Sequence, residues 1–225
     1  MSGTPKPTRL IAMGVLSAAL VGLAATLFIR TQAQPEPPLI MQAEDAAEVD
    51  VSSIREMAIG AQDAPVTVIE YASFTCPHCA SFHASVFPEL RANYVETGQV
   101  RFVVREVYFD RYGLWASMLA RCGGGNRFFG LADMIYDQQA EWTQGTPADI
   151  AENLRRMGRT AGLGQETLTE CLSDAGKAET LVAWYTRNAE ADDINSTPSF
   201  IIDGQKYSNM GYADFAAVLD EKLAD

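Results

Sequence analysis

The segment Glu70-Tyr71-Ala72-Ser73-Phe74-Thr75-Cys76-Pro77-His78-Cys79 joins two patterns of different period. Before it, Val66 to Tyr71 is β-branched and aromatic, which predicts a buried strand. After it, Cys79, Phe82, Val86, Leu90 and Tyr94 recur at steps of three and four, which predicts a helix with one apolar face. Pro88 falls inside that helix and predicts a bend near its middle. Two cysteines spaced C-x-x-C where a strand hands over to a helix are the layout of a dithiol–disulfide centre.

That placement gives the two sulfurs different tasks. At the first turn of a helix Cys76 faces unpaired backbone N–H groups and the positive end of the macrodipole, which favour thiolate over thiol. Cys76 is therefore the expected nucleophile and Cys79 the buried, resolving partner. Pro77 preorganises the first helical position, and His78, protonated or aligned as a donor, would add to the stabilisation of the thiolate. His83 is read as a packing or capping residue. A purely structural Cys76–Cys79 bridge is the alternative, but so short a loop gains little entropic stabilisation.

Working outward, Val100 to Tyr108 reads as a second buried strand after the turn at Gly98. From 110 to 190 the pattern becomes helical, with segments Leu114 to Arg121, Arg127 to Gln139, Pro147 to Met157 and Asp174 to Glu190. Strand character returns at Ser199 to Ile202, and Asp203-Gly204 is a two-residue turn that closes a hairpin onto Gln205 to Tyr207. Phe215, Val218, Leu219 and Leu223 mark a last helix. The order β, α, β, helical insert, β, β, α predicts an α/β fold: residues 52–109 and 191–225 form one domain, interrupted by the all-helical 110–190.

Ahead of the fold, Lys6 and Arg9 precede an uncharged apolar run from Leu10 to Ile29, the layout of an export signal. Residues 1–33 are read as a signal peptide or a signal anchor. The run is long for a signal core and just long enough to span a bilayer, so both outcomes stay open. Residues 34–51, rich in Pro, Glu, Ala and Gln, read as a flexible linker. Of the 17 basic residues in the chain, Lys6, Arg9 and Arg30 fall in the first 33; the other 14 stand against 29 acidic ones, a net charge of −15. Nucleic acid is not expected as a partner of such a surface. In an exported protein Cys122 and Cys171, both in the helical insert, are expected to form a structural disulfide, with two buried thiols as the other possibility.

With the elements in order, Glu70 to Cys79 followed by Phe82 resembles the active-site segment of the DsbA family of thiol oxidases. Thr197-Pro198-Ser199-Phe200-Ile201-Ile202-Asp203-Gly204, with Tyr207 after it, resembles that family's cis-proline loop and hairpin. The likeness spans residues 52 to 223 and implies a thioredoxin-like fold interrupted by a helical insertion domain. It implies a cis Thr197–Pro198 bond, where spacing alone allows an ordinary turn proline. It also implies that Glu70 is a buried acid moving protons for Cys79; a strand-end carboxylate paired to Lys or Arg is the other reading. The second cysteine pair departs from the best-known pattern of the family.

The implied activity is a periplasmic oxidase that donates its disulfide to unfolded exported proteins with free thiols. Reoxidation by a quinone-linked, DsbB-like membrane oxidase comes from the resemblance alone. Thr197 would pair with an extended client peptide, and Phe74 and Tyr207 are candidates for an apolar client-binding surface. An isomerase or reductase and a non-catalytic adaptor or chaperone are the alternatives; the short stretch before the fold speaks against a dimeric isomerase, and a monomer is expected. No cofactor is expected. Ala80 follows Cys79 where a c-type haem site requires His, and no second ligand pair completes a zinc site with Cys76, Cys79 and His83.

Overall fold

The computed structural model describes residues 41–224 and Gly3. Apart from Gly3, the expected signal segment and the first part of the expected linker lie outside the described residues. Among the described residues no helix is long and apolar enough to cross a membrane.

Five strands form one mixed sheet in the order β1-β3-β2-β4-β5: β1 (Met57–Ile59), β2 (Val66–Ala72), β3 (Val100–Glu106), β4 (Ser199–Ile202) and β5 (Gln205–Ser208). β2 and β3 are parallel, with Val66 beside Val100 and Ala72 beside Glu106, so a crossover must join them. That crossover is the helix opened by the C-x-x-C segment. β4 runs antiparallel to β2 and pairs Tyr71 with Ser199, which brings the Thr197–Pro198 peptide beside the end of β2. At the hairpin turn Asp203 and Gly204 both take positive φ, 45° and 79°, the backbone a tight two-residue turn needs.

The crossover bends where Pro88 predicts, as a break. α2 (Pro77–Ser85) ends at Val86, α3 (Phe87–Leu90) restarts with Pro88 in its first turn, and Arg91–Val95 forms a π-helical turn closed by Glu96 N–H donating to the Arg91 carbonyl at 2.8 Å. Pro88 has no N–H to donate to the preceding turn. On the sheet face beneath, Phe82, Phe87, Phe102, Phe200 and Phe215 pack ring against ring.

The insert between β3 and β4 is wholly helical: α4 (Arg111–Cys122), α5 (Gly125–Asp137), α6 (Gln139–Trp142), α7 (Pro147–Thr160), α8 (Gln165–Leu172) and α9 (Ala175–Ala191). α5 packs on α2, so the insert's core runs into that of the sheet through Phe128, Ile135 and Trp142. α9 covers the opposite sheet face with Leu181, Trp184 and Tyr185 against Tyr71, Tyr108 and Ile201. α10 (Tyr212–Ala224) closes the chain, burying Phe215 and Leu219.

One expectation is corrected at the N-terminal side. Residues 34–51 read as a flexible linker, yet Ala43–Glu48 form helix α1, seated on α9 with Ala46 fully buried. Arg187 of α9 donates to the carbonyls of Ala46 and Val49, satisfying the helix end. A six-residue helix held by one distant arginine carries too little periodicity to read in advance.

Candidate active site

Cys76 is the N-cap residue of α2, with extended backbone (φ −83°, ψ 119°), and Pro77 occupies the first turn. Its sulfur is nearly covered, and its thiol donates to the Thr197 carbonyl across 3.5 Å. The Thr197–Pro198 bond is cis. Cys79, one turn further on, has no exposed surface. Both cysteines are free thiols in this structure.

The environments separate the two acidities. A hydrogen bond from the Cys79 thiol is the largest influence on Cys76; against the cost of burial, the Thr197 hydroxyl and the backbone N–H groups of Cys79 and His78 add to it, and the thiol falls from 9.0 to about 5. The Thr197 hydroxyl is buried and otherwise unpartnered, which leaves it available to the thiolate. Cys79 is driven the other way, first by burial, then by the neighbouring Cys76 sulfur and the charge of Glu70. What His78 gives Cys76 is its main-chain N–H; its side chain is exposed.

The insert fixes the loop that carries the nucleophile. Gln139 of α6 is buried and donates to the carbonyls of Phe74 at 2.7 Å and Cys76 at 3.0 Å. The Thr75 hydroxyl donates to Asp110, whose other oxygen caps α4 by accepting from Tyr112 N–H and Gly113 N–H. Neither Gln139 nor Asp110 was legible as a site residue, because each reaches the loop from a distant element.

Two further assignments change. Phe74, read as client surface, is 1% exposed and packs on Tyr136 at 4.9 Å between ring centroids. The exposed aromatic near the site is Phe109, which with Thr197, Tyr185 and Ile194 lines a cavity of about 130 Å³. Tyr207, opposite Phe200 on β5, is half-buried. Glu70 is wholly buried, and the partner of its carboxylate is His83 at 2.9 Å, in place of a Lys or Arg. His83, read as packing, stacks on Tyr136 at 4.3 Å and is also a member of this buried pair.

Cys122 and Cys171 are joined by a disulfide, with their Cα atoms 5.8 Å apart. Among the described residues no group of His, Cys, Asp and Glu is arranged to hold a metal ion.

A βαβ crossover with C-x-x-C at its helix start, faced by a cis-proline loop, defines a thioredoxin-fold dithiol protein. The thioredoxin family model matches residues 52–221, and the chain belongs to that family. Its arrangement with a helical insertion is that of the DsbA proteins: α-DsbA1 of Wolbachia pipientis superposes with a TM-score of 0.71 at 24% identity, over 82% of this chain and 96% of that one. BdbD of Bacillus subtilis superposes with a TM-score of 0.65 at 21% identity, over 76% and 94%. In sequence, a Rickettsia bellii protein named provisionally as a protein-disulfide oxidoreductase is 35% identical over 171 residues, 76% of this chain and 65% of the relative. The chain thus spans a little under two thirds of the length of that relative. Disulfide bond formation protein D of Bacillus subtilis is 26% identical over 81% of this chain and 83% of its own.

Proposed function

We propose that this chain is a protein thiol:disulfide oxidase that works as a monomer outside the cytoplasmic membrane and passes its Cys76–Cys79 disulfide to unfolded exported proteins. The observation that carries the reading is the asymmetry of the two sulfurs. Cys76 is held as a good leaving group by donors that ring it, while Cys79 is buried beside a carboxylate.

In the oxidised protein a client thiolate attacks Cys76 Sγ, the Cys76–Cys79 bond breaks, and its electron pair leaves on Cys79, which takes up a proton. A second client thiolate then attacks the client sulfur of the mixed disulfide, forming the client's disulfide and releasing Cys76 as thiolate. A reduced form stabilised as thiolate makes the oxidised form a strong oxidant; this is the effect the DsbA proteins are known for. Glu70 is assigned the proton exchange with Cys79. The main chain at Thr197 would receive an extended client segment, with Tyr207 and Phe109 as the apolar contacts beside it. The apolar run Leu10 to Ile29 and the Cys122–Cys171 bridge support an exported location. The likeness to DsbA proteins supports reoxidation by a quinone-linked, DsbB-like membrane oxidase.

Replacing Cys76 by Ser tests the reading. Formation of disulfides in a reduced, unfolded substrate protein should fall to the uncatalysed rate. A variant as fast as wild type would leave a peptide-binding adaptor in its place.

A further inference from the structure

Glu70 and His83 form a pair that stability does not account for. Their atoms Oε2 and Nε2 stand 2.9 Å apart, but Glu70 Oε1 and His83 Nδ1 are buried and without a partner among the described residues. Each such orphan costs about 1–3 kcal/mol, so an apolar pair would serve the core better. The imidazole is also held in one orientation, stacked on Tyr136 and flanked by Phe87 at 4.8 Å.

The two ends of this pair reach different surroundings. At one end the charge of Glu70 acts on the Cys79 thiol, which has no exposed surface of its own. At the other, His83 forms part of the wall of an open groove of about 390 Å³, with Arg91, Glu96, Asp133 and Asp137 around it. The groups that face the ring are thus Glu70 from β2, Cys79 on its own helix, Asp133, Tyr136 and Asp137 from α5, and Arg91 and Glu96 from the π turn. Burial raises the Asp133 carboxyl above its ordinary value, which makes the groove wall a better proton store.

We propose that His83 carries protons between this groove and Glu70, so that Cys79 exchanges its proton with solvent on a side away from the client. His83 follows Cys76 by seven residues, about 10 Å along the helix axis. A client bound over Cys76 therefore leaves the groove open. When the Cys76–Cys79 bond breaks, Cys79 leaves as thiolate and takes a proton from the Glu70 carboxyl, while His83 keeps the proton on Nε2. His83 then gives one from Nε2 to Glu70 and takes one up on Nδ1, whose cover of groove-lining side chains must open for water to reach it, restoring the charge of the pair. Reoxidation runs the same steps backwards. No electrons pass through the relay, and one proton crosses it per thiol formed. His83 acts through Glu70 and is a positioning and relay residue.

This inference rests on the exchange chemistry proposed above, and its test is separable from client oxidation. The oxidised full chain is reduced with dithiothreitol, and appearance of the Cys79 thiol is followed by acid quench and mass analysis, with iodoacetamide alkylation of Cys76 measured in parallel. His83→Gln keeps a hydrogen bond to Glu70 but cannot relay a proton. It should slow formation of the Cys79 thiol about tenfold or more at pH 7 and flatten its pH dependence, with Cys76 alkylation unchanged. His83→Ala should be slow in the same way and be rescued by added imidazole, which the groove admits. An H83Q protein that exchanges at the wild-type rate and pH profile, or an H83A protein whose slow exchange imidazole leaves unaltered, overturns the relay. A wild-type chain that exchanges with dithiothreitol but oxidises no protein client overturns the oxidase reading and leaves the relay standing.

Discussion

Cys76 and Cys79 are three residues apart, yet their surroundings move them in opposite directions. The nucleophile gathers donors from Cys79, Thr197 and the first turn of α2; the resolving thiol meets burial and negative charge. The asymmetry has a consequence for stability. In the reduced protein the folded Cys76 thiol ionises near 5, well below its ordinary value of 9.0. A depressed acid stabilises the fold fully above its unfolded value, and that stabilisation is lost as pH falls through its folded value. The oxidised protein has no Cys76 thiol and lacks this contribution. The melting temperature of the reduced protein, relative to the oxidised, should therefore rise as pH is raised from 4.5 to 8.5, a window in which Cys79 stays a thiol. Paired thermal scans across that range check it. A difference independent of pH would mean an ordinary thiol at Cys76.

At the scale of elements, the insert is fastened to the sheet by one buried ion pair. Arg121 near the end of α4 donates from Nε to Glu106 Oε1 and from Nη2 to Oε2, both at 2.6 Å, and from Nη1 to the Arg55 carbonyl. Ser117 donates to the same carboxylate at 2.9 Å. Both charges are nearly free of water, 5% and 1% exposed, so neither can be left alone cheaply. Arg121→Met should cost about 3–5 kcal/mol in urea denaturation, and adding Glu106→Gln should recover part of that loss. A cost below about 1 kcal/mol in the single variant would show that solvent reaches Glu106. Such ties also mark the limit of what a sequence reveals. β4 and the hairpin turn were legible to the residue because β-branched runs and Asp-Gly are local signals. The three-residue β1 and the short α6 and α8 are too brief to show a period. Cys76 and Cys79 announce themselves by spacing, while Pro198 is marked by the likeness of its flanking residues to a known loop. The Glu70–His83 pair spans 13 residues and two elements, and only the packing of α2 on β2 brings it together. Phe74 misleads for the same reason: Tyr71 to Phe74 are all buried, and the aromatic just past this strand end packs on Tyr136 of the insert.

For the whole molecule, the division of labour between sheet and insert can be separated by cutting the second disulfide. Cys122 closes α4 and Cys171 lies in α8, 49 positions away, so the bridge encloses α5, α6 and α7. By loop-closure entropy a cross-link of that span is worth about 4 kcal/mol. The groups that lower the pKa of Cys76 are elsewhere: Cys79, Thr197 and the backbone of α2 all belong to the thioredoxin-like part. The loop contributes Gln139 and Tyr136, which hold the backbone and His83, and neither is among the groups that lower the pKa of Cys76. Replacing both Cys122 and Cys171 by Ala should therefore lower unfolding stability by up to about 4 kcal/mol in urea, while the pH midpoint of Cys76 alkylation stays near 5 in the folded protein. A midpoint displaced toward that of an ordinary thiol would mean that the insert, held taut by its bridge, sets the reactivity of the nucleophile through Gln139.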